Sequence, residues 1–320
     1  MKYALLFPGQ GSQEVGMLRA LADDDVRIDD TFREASEVLG WDVLRLVKTG
    51  PAEELNRTQY TQPALLAASI AVLRVWRARG LPAPSALAGH SLGEYSALVA
   101  AGALDFADAL RLVQLRGELM QTAVPAGIGA MAAVIGLDDA GVEKACQAYT
   151  GEGVLEPANY NAPGQVVVAG SRGAVDWLIA NSKTFGARKV LPIPVSVPSH
   201  CSLMRGAADH LAENLRSVTI RTPQTPVLHN LDARPRSDAD AIRTALIEQL
   251  YKPVRWSLTI QNLYAQGHLG LFECGPGKVL AAITKRIVEV GPGAAQSFTL
   301  GEPEGLQHAQ ALFNRPTEQA

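Results

Sequence analysis

The sequence is poor in cysteine: three cysteines are scattered over 320 residues, and no Cys-x-x-Cys pair occurs among them. An odd and widely spaced set does not suit a disulfide framework or a zinc module, and it fits a reducing compartment. The six histidines show no metal-ligand spacing such as His-Glu-x-x-His. We therefore expect neither a metal site nor a disulfide-rich secreted fold.

An excess of positive charge and a long hydrophobic run are also missing. The chain has 29 Lys and Arg residues against 32 Asp and Glu residues, a formal net charge of −3, so nucleic-acid binding is not expected. The longest apolar stretch, residues 63–76, contains Ser69 and Arg74 and is too short for a membrane span. The N-terminal apolar run ends at Pro8, too early for a signal peptide. These absences predict a cytoplasmic protein without a membrane segment.

The composition that remains is that of a globular protein, with 47% hydrophobic and 19% charged residues. Domains average about 150 residues, so a chain of 320 residues is expected to form one large domain or two smaller ones. Short apolar strands alternate with amphipathic helices, which predicts an α/β domain with a largely parallel sheet. The predicted strands are residues 3–7 and 85–88, and the predicted helices are 30–40, 62–79 and 105–124, with Asp105 as an N-cap.

The order of elements changes between residues 127 and 198. Strands are predicted at 130–135, 154–159, 165–169 and 188–195, and helices at 138–149 and 171–185. This βαββαβ order is the ferredoxin-like pattern, and a turn at 161–164 joins its inner strands. We predict a small ferredoxin-like domain of residues 127–198, inserted into a large α/β domain of residues 1–126 and 199–320.

The strongest motif is Gly89-His90-Ser91-Leu92-Gly93, a Gly-x-Ser-x-Gly sequence between a predicted strand and a predicted helix. In this arrangement a strained turn exposes the serine hydroxyl, and the next backbone N–H points to where an oxyanion forms. The motif predicts that Ser91 is a nucleophile.

A nucleophilic serine needs a base, and His200 lies where the small domain is expected to rejoin the large one. The sequence alone leaves open whether His200 is that base or a buried structural histidine. No Asp completes a triad in the hydrolase order, so a Ser–His dyad oriented by a backbone carbonyl is the favoured interpretation. Arg116, on the helix after the serine, is either a solvated residue or a functional one.

Seven segments in this order and spacing resemble one known family: FPGQGSQ (7–13), AGHSLGEYSA (88–97), QLRG (114–117), NYNAPGQ (159–165), PVSVPSHC (194–201), QLYKPVRW (249–256) and GPGKVL (275–280). They are similar to the malonyl-CoA:acyl carrier protein transacylase family of bacterial fatty-acid synthesis. The resemblance covers nearly the whole chain except about the last twenty residues. It implies a hydrolase-like α/β domain with a ferredoxin-like insert.

The resemblance also implies roles for the matched residues. Ser91 would be the nucleophile, His200 its base, and the main-chain carbonyl of Gln249 would orient the imidazole. Backbone N–H groups of Gln10 and Leu92 would form the oxyanion hole. The residues expected at the substrate are Arg116, which would bind the free carboxylate of the malonyl group, together with Gln10, His90 and Asn159.

The implied reaction moves the malonyl group from malonyl-CoA to the phosphopantetheine thiol of acyl carrier protein, through a malonyl-serine ester and with ping-pong kinetics. Malonyl-CoA and acyl carrier protein are the expected partners, no cofactor is expected, and the chain is expected to be a monomer. Because the carrier is acidic, a local basic patch is needed. Its candidates are Lys183, Arg188, Lys189, Lys285 and Arg286.

Three alternatives remain open at this point. A related transacylase that serves malonate decarboxylase would differ in its carrier. A serine thioesterase or esterase would release free malonate, although esterases with this turn usually carry an Asp or Glu in the triad. A non-catalytic interaction subunit could retain the fold and would not be acylated on Ser91.

Overall fold

The computed structural model describes residues 2–125, 127–194, 197–289 and 295–314. Its strands are β1 Tyr3–Phe7, β2 Ala86–Gly89, β3 Gly129–Ile135, β4 Leu155–Ala162, β5 Gln165–Ser171, β6 Lys189–Ile193, β7 Val227–Leu228, β8 Gly270–Glu273 and β9 Gln296–Thr299. Its α-helices are α1 Arg19–Asp24, α2 Arg27–Leu39, α3 Val43–Thr49, α4 Ala52–Leu55, α5 Thr58–Ala78, α6 Gly93–Ala100, α7 Phe106–Thr122, α8 Asp139–Gln147, α9 Arg172–Asn181, α10 Arg205–Leu215, α11 Ala239–Gln249, α12 Trp256–Ala265, α13 Val279–Val288 and α14 Pro303–Phe313.

A five-stranded parallel sheet, in the order β7-β2-β1-β8-β9, organises the larger part of the chain. All five residues of β1 are apolar and buried, as expected for a parallel strand that is covered on both faces. The longest described helix, α5, has 21 residues, yet no helix in the described ranges is long and apolar enough to cross a membrane. The predicted α/β domain with a largely parallel sheet is confirmed.

Three helices differ from their predictions at the N-terminus, and the first, predicted at 30–40, begins at Arg27. The helix predicted to begin at residue 62 begins at Thr58. The prediction placed Pro63 in the first turn, whereas Pro63 lies inside α5. Asp105 stands at the N-cap position of α7, as predicted, but its side chain makes no capping hydrogen bond. Its carboxylate instead pairs with Arg221 at 2.9 Å, so a contact with a distant part of the chain replaces the local one.

The βαββαβ prediction is also confirmed, since β3-α8-β4-β5-α9-β6 forms an antiparallel sheet in the order β4-β5-β3-β6. A tight turn at Pro163-Gly164 joins β4 to β5, and Gly164 adopts a φ of 71°. The last strand was predicted to reach Val195, which lies outside the described residues, and the described strand ends at Ile193.

The two faces of this sheet have different neighbours. Ala132 and Val134 of β3 pack into the cluster formed with α8 and α9. Successive side chains of a strand point to opposite faces, so Met131, which precedes Ala132, points to the other face of the sheet. There it packs against Cys201, which lies beyond the predicted insert. That opposite face therefore meets the part of the chain that holds the parallel sheet.

Backbone hydrogen bonds also join strand β4 of the antiparallel sheet to the segment between α11 and α12. The Tyr160 N–H donates to the Val254 carbonyl at 2.9 Å, and the Val254 N–H donates to the Ala158 carbonyl at 2.9 Å. All four antiparallel strands fall within residues 127–198, and the boundaries of the small domain at these two positions stay a prediction.

Candidate active site

The Ser91 turn lies at the carboxyl end of the parallel sheet. Strands β1 and β2 are adjacent and Phe7 pairs with Gly89, so the loops that follow bring Gln10 and Ser91 to the same edge. Ser91 has a φ of 51°, in the left-handed region, between β2 and α6. Glycine is required beside it, because a Cβ on Gly93 would lie 2.0 Å from the Phe7 carbonyl oxygen. The local sequence therefore produces a sharp turn that presents the hydroxyl.

Ser91 and His200 meet across 109 positions of sequence, with 2.8 Å between the serine Oγ and the histidine Nε2. On the other side of the ring, Nδ1 lies 2.7 Å from the carbonyl oxygen of Gln249. Because a carbonyl only accepts, Nδ1–H donates to it and Nε2 is left to accept the serine proton. The arrangement is that of a nucleophile, its base and a group that orients the base.

The protonation state of His200 suits a base. Burial and the positive charge of Arg116 lower its pKa to about 3, against the opposing hydrogen bond to the Gln249 carbonyl. The imidazole is therefore neutral at physiological pH and can accept a proton.

Arg116 is buried beside the same hydroxyl. Its Nη2 donates to Ser91 Oγ at 3.2 Å and to Gln249 Oε1 at 2.9 Å, and its Nη1 donates to Gln62 Oε1 at 2.8 Å. These partners are neutral, and within the described residues no carboxylate lies within 4.0 Å of the guanidinium. Burial lowers the pKa of Arg116 from its ordinary value, so the charged guanidinium gains stability from an incoming anion.

The position of Arg116 depends on close packing between α7 and α5. A Cβ on Gly117 would lie 2.7 Å from the Cα of Gln59, so a glycine lets the two helix backbones approach. This approach brings Arg116 of α7 within hydrogen-bond distance of Gln62 of α5. The sequence left open whether Arg116 is a solvated or a functional residue. The side chain is 1% exposed, so Arg116 is not a solvated surface residue.

Gln10 and Leu92 both border the cavity above Ser91. In the described part of the chain, neither backbone N–H donates to another protein group. The Ser91 N–H, in contrast, donates to Asn230 Oδ1 at 2.7 Å. Two backbone N–H groups without a protein acceptor near Ser91, one of them at the start of α6, suit a developing oxyanion.

A cavity of about 690 Å³ lies over Ser91, between the antiparallel sheet and the loops that follow β1 and β2 of the parallel sheet. On β4, Asn159 and Asn161 supply polar lining, and Asn161 Oδ1 lies 2.8 Å from His90 Nε2. Burial lowers the pKa of His90, whose ring also packs edge-on against Trp256. The apolar lining comes from Met120, Met131, Val167, Ile193, Val197, Val279, Leu280 and Ile283.

Three of the five predicted docking cations lie at the same end of the antiparallel sheet. Lys189 and Gln165 flank Ile135 in register, and Arg286 of α13 donates a hydrogen bond to Gln165 Oε1. Arg188 precedes β6, and its N–H donates to the Ile135 carbonyl. We call Arg188, Lys189 and Arg286 the basic row; all three side chains are exposed.

The other two predicted docking residues are placed differently. Lys285 Nζ lies 3.8 Å from Glu289 Oε1, so its charge is partly balanced on the same helix. Lys183 is exposed in the turn after α9.

Sequence reasoning missed a buried polar network beneath Ser91. Asn230 binds the serine N–H, Glu94 binds Asn230 and Gln249, His229 binds Glu94, and Gln62 binds Arg116. The available signal was Glu94, which stands inside the matched segment 88–97. The other newly found members lie outside every matched segment, so only the fold reveals them.

Comparison with known proteins agrees with this geometry. The family model of the acyl transferase domain matches residues 4–303. The chain is 53% identical to the malonyl CoA-acyl carrier protein transacylase of Escherichia coli strain K12, over 97% of this chain and 99% of the relative. It is 45% identical to the protein of the same name from Bacillus subtilis strain 168, over 100% of this chain and 99% of the relative.

Solved structures agree as well. An acyl carrier protein S-malonyltransferase from Vibrio cholerae superposes with a TM-score of 0.93 and 52% identity, covering 96% of this chain and 99% of that chain. A malonyl-transacylase solved in complex with its type II PKS acyl-carrier protein superposes with a TM-score of 0.95 and 50% identity, covering 98% of this chain and 100% of that chain. On these matches, this chain belongs to the malonyl-CoA:acyl carrier protein transacylase family of acyl transferases.

Proposed function

We propose that this chain transfers the malonyl group of malonyl-CoA to the phosphopantetheine thiol of acyl carrier protein, and so supplies fatty-acid elongation. One observation carries the proposal: Ser91 Oγ lies 2.8 Å from His200 Nε2 and 3.2 Å from Arg116 Nη2. A general base and a buried guanidinium thus flank one hydroxyl. An acyl group on that hydroxyl with a free carboxylate a few bonds away can meet the guanidinium.

The first half-reaction forms an ester on Ser91. His200 Nε2 takes the hydroxyl proton while Oγ attacks the thioester carbonyl carbon, and the carbonyl oxygen becomes an oxyanion. The N–H groups of Gln10 and Leu92 stabilise that charge, a contribution of roughly 3 kcal/mol to barrier lowering per donor. The C–S bond then breaks, and His200 returns the proton to the leaving thiolate of CoA.

The second half-reaction repeats these steps with a different nucleophile. The carrier thiol gives its proton to His200 and attacks the ester carbonyl, and Ser91 leaves with that proton. The Gln249 carbonyl keeps the imidazole in one tautomer throughout. Because CoA departs before the carrier reacts, the kinetics are ping-pong.

Arg116 selects the malonyl group. A planar guanidinium can donate two parallel hydrogen bonds to a carboxylate, whereas an acetyl group would leave the buried charge without an anion. His90 and Asn159 line the same cavity and are assigned to substrate contact. This requirement for an anion favours a malonyl transferase over a general esterase.

The basic row is the proposed docking site for the acidic carrier. Val167 and Ile193, on the same face of the antiparallel sheet as Lys189, line the cavity, so a carrier bound at the row can extend its phosphopantetheine arm along that face. The apolar lining suits the arm. We further propose that the chain acts as a cytoplasmic monomer and needs no cofactor.

The test is a product analysis with malonyl-CoA as donor and phosphopantetheinylated acyl carrier protein as acceptor. The proposal expects malonyl carrier protein as the main product and parallel lines in double-reciprocal initial-rate plots. Free malonate as the main product would instead identify a serine hydrolase. Transfer only to the carrier subunit of a malonate decarboxylase would identify the related transacylase, and no turnover would identify a non-catalytic subunit.

A further inference from the structure

Glu94 is a buried carboxylate directly beneath the nucleophile turn, in the first turn of α6. Its Oε1 lies 2.6 Å from His229 Nδ1, and its Oε2 accepts the Asn230 N–H at 2.9 Å and the Gln249 Nε2–H at 2.9 Å. All three partners donate, which is the pattern that a carboxylate requires. Nothing in the reaction described above uses this group directly.

One partner of Glu94 leads to the serine. Asn230 Oδ1 accepts the Ser91 N–H at 2.7 Å, and Asn230 Nδ2 donates to the Gly89 carbonyl at 2.7 Å. The asparagine therefore holds both sides of the turn in which Ser91 keeps its positive φ. A residue in that region persists where its surroundings over-determine it.

The other partner leads to the base and to the substrate-binding arginine. The Gln249 side chain donates from Nε2 to Glu94 and to the Ser91 carbonyl, and its Oε1 accepts from Arg116 Nη2. The Gln249 main-chain carbonyl accepts from His200. One amide thus separates the buried carboxylate from the guanidinium, so Arg116 is oriented without being neutralised by direct contact.

We propose, resting on the proposed function, that Glu94, anchored by His229, is the positioning residue that aligns Ser91 through Asn230 and orients Arg116 and His200 through Gln249. Glu94 then affects two properties together: the rate of acylation and the preference for malonyl over acetyl. A residue that only stabilised the fold would change neither property in the molecules that remain folded.

Two substitutions separate the hydrogen bonds of Glu94 from its charge. Glu94→Gln keeps an oxygen for the Asn230 N–H and for Gln249 Nε2, and its amide N–H can donate to His229 Nδ1 in the other tautomer. Glu94→Ala removes all three contacts. If position is what matters, the glutamine variant retains most of the function that the alanine variant loses.

The experiment measures single-turnover acylation by intact mass, with malonyl-CoA and acetyl-CoA as separate donors, on protein shown to be folded by circular dichroism. We expect Glu94→Ala to acylate with malonyl roughly 100-fold more slowly than wild type, and the malonyl-to-acetyl rate ratio to fall roughly tenfold. Glu94→Gln is expected to stay within about tenfold in rate and close to the wild-type ratio.

A core variant controls for lost stability. Leu178→Ala removes a buried leucine of α9, in the cluster on the other side of the antiparallel sheet from the cavity. It is expected to lower Tm while keeping the wild-type ratio. If Glu94→Ala does not fold, His229→Ala removes the anchor alone and is expected to lower the ratio.

A double variant tests whether Glu94 acts through Gln249. Gln249→Leu deletes the side-chain amide and keeps the main-chain carbonyl for His200, so it is expected to lower the same ratio. The double variant Glu94→Ala/Gln249→Leu is then expected to match Gln249→Leu alone in this ratio. A wild-type ratio in folded Glu94→Ala or in His229→Ala, or multiplied losses in the double variant, would overturn the proposal. A wild-type protein that takes no malonyl group refutes the proposed function instead.

Discussion

Replacing Arg116 by alanine removes the group to which we assign malonyl selection. The guanidinium is 1% exposed, its hydrogen-bond partners Gln62 and Gln249 are neutral amides, and it lies 3.2 Å from the Ser91 hydroxyl. We expect the malonyl carboxylate to be the counterion that contacts it directly, because Glu94 reaches it only through Gln249. The substitution therefore acts on the malonyl ester and has no corresponding contact to remove from an acetyl ester.

The magnitude follows from the burial of this contact. Truncating one partner of a buried, hydrogen-bonded charge pair costs about 2–5 kcal/mol. A loss of about 3 kcal/mol corresponds to roughly 150-fold in kcat/KM for malonyl-CoA, since about 1.4 kcal/mol is tenfold. Arg116→Lys keeps the charge but loses the planar fork, so we expect a smaller loss of about tenfold.

The assay offers malonyl-CoA and acetyl-CoA together at equal concentration and counts the two adducts by intact mass. Wild type is expected to carry malonyl almost alone, and Arg116→Ala is expected to carry the two groups in comparable amounts. The rate of Ser91 acylation with acetyl-CoA as the single donor controls for general damage to the reactivity of the serine. If Arg116→Ala is folded and keeps the wild-type preference, the assignment of Arg116 to the carboxylate is refuted.

Three further predictions concern charge. The low pKa of His200, about 3, predicts that kcat/KM for malonyl-CoA stays level from pH 8 down to about pH 5. A decrease of kcat/KM with a midpoint near pH 6.5 would contradict this prediction. Lys189→Glu is expected to slow transfer to carrier protein about tenfold at low salt and to leave serine acylation unchanged. Lys144→Glu on α8 is the control. If Lys189→Glu and wild type transfer at equal rates, Lys189 is not part of the docking surface. Burial raises the pKa of Glu273 from 4.5 to about 7, so the folded state binds the extra proton and stability falls by up to about 3 kcal/mol as pH rises through that range. Glu273→Gln is expected to flatten the change of Tm between pH 5 and 8, and an unchanged slope would count against it.

Those parts of the fold that rest on local pattern could be predicted from the sequence. Short, mostly apolar strand segments and the helical stretches between them follow one another within residues 127–198, and a turn signal at 161–164 separates the inner strands, so the βαββαβ order was readable before any packing was known. The Gly-x-Ser-x-Gly turn is equally local, because Gly89 and Gly93 are required within a few residues of Ser91. The absence of a capping hydrogen bond from Asp105 was not predictable, since Arg221 binds its carboxylate from a distant segment.

The site could be predicted only as far as its motifs extend. Ser91, His200 and Gln249 stand in segments that resemble known ones, and the fold brings them within hydrogen-bond distance. Glu94 and Asn230, in contrast, are 136 residues apart and contact each other through a backbone N–H, which any residue type at position 230 except proline could supply. Sequence pattern therefore carries no trace of that contact, and only the packing of α6 against the segment after β7 reveals it.

The central claim is that Ser91 carries the malonyl group between two thiols, and intact-protein mass spectrometry after brief mixing with malonyl-CoA tests it most directly. The account predicts a single malonyl adduct that is absent in Ser91→Ala and disappears when acyl carrier protein is added, with the mass of the carrier rising by the same group. An adduct that persists in Ser91→Ala, or one that is lost to water as malonate and never reaches the carrier, would contradict it.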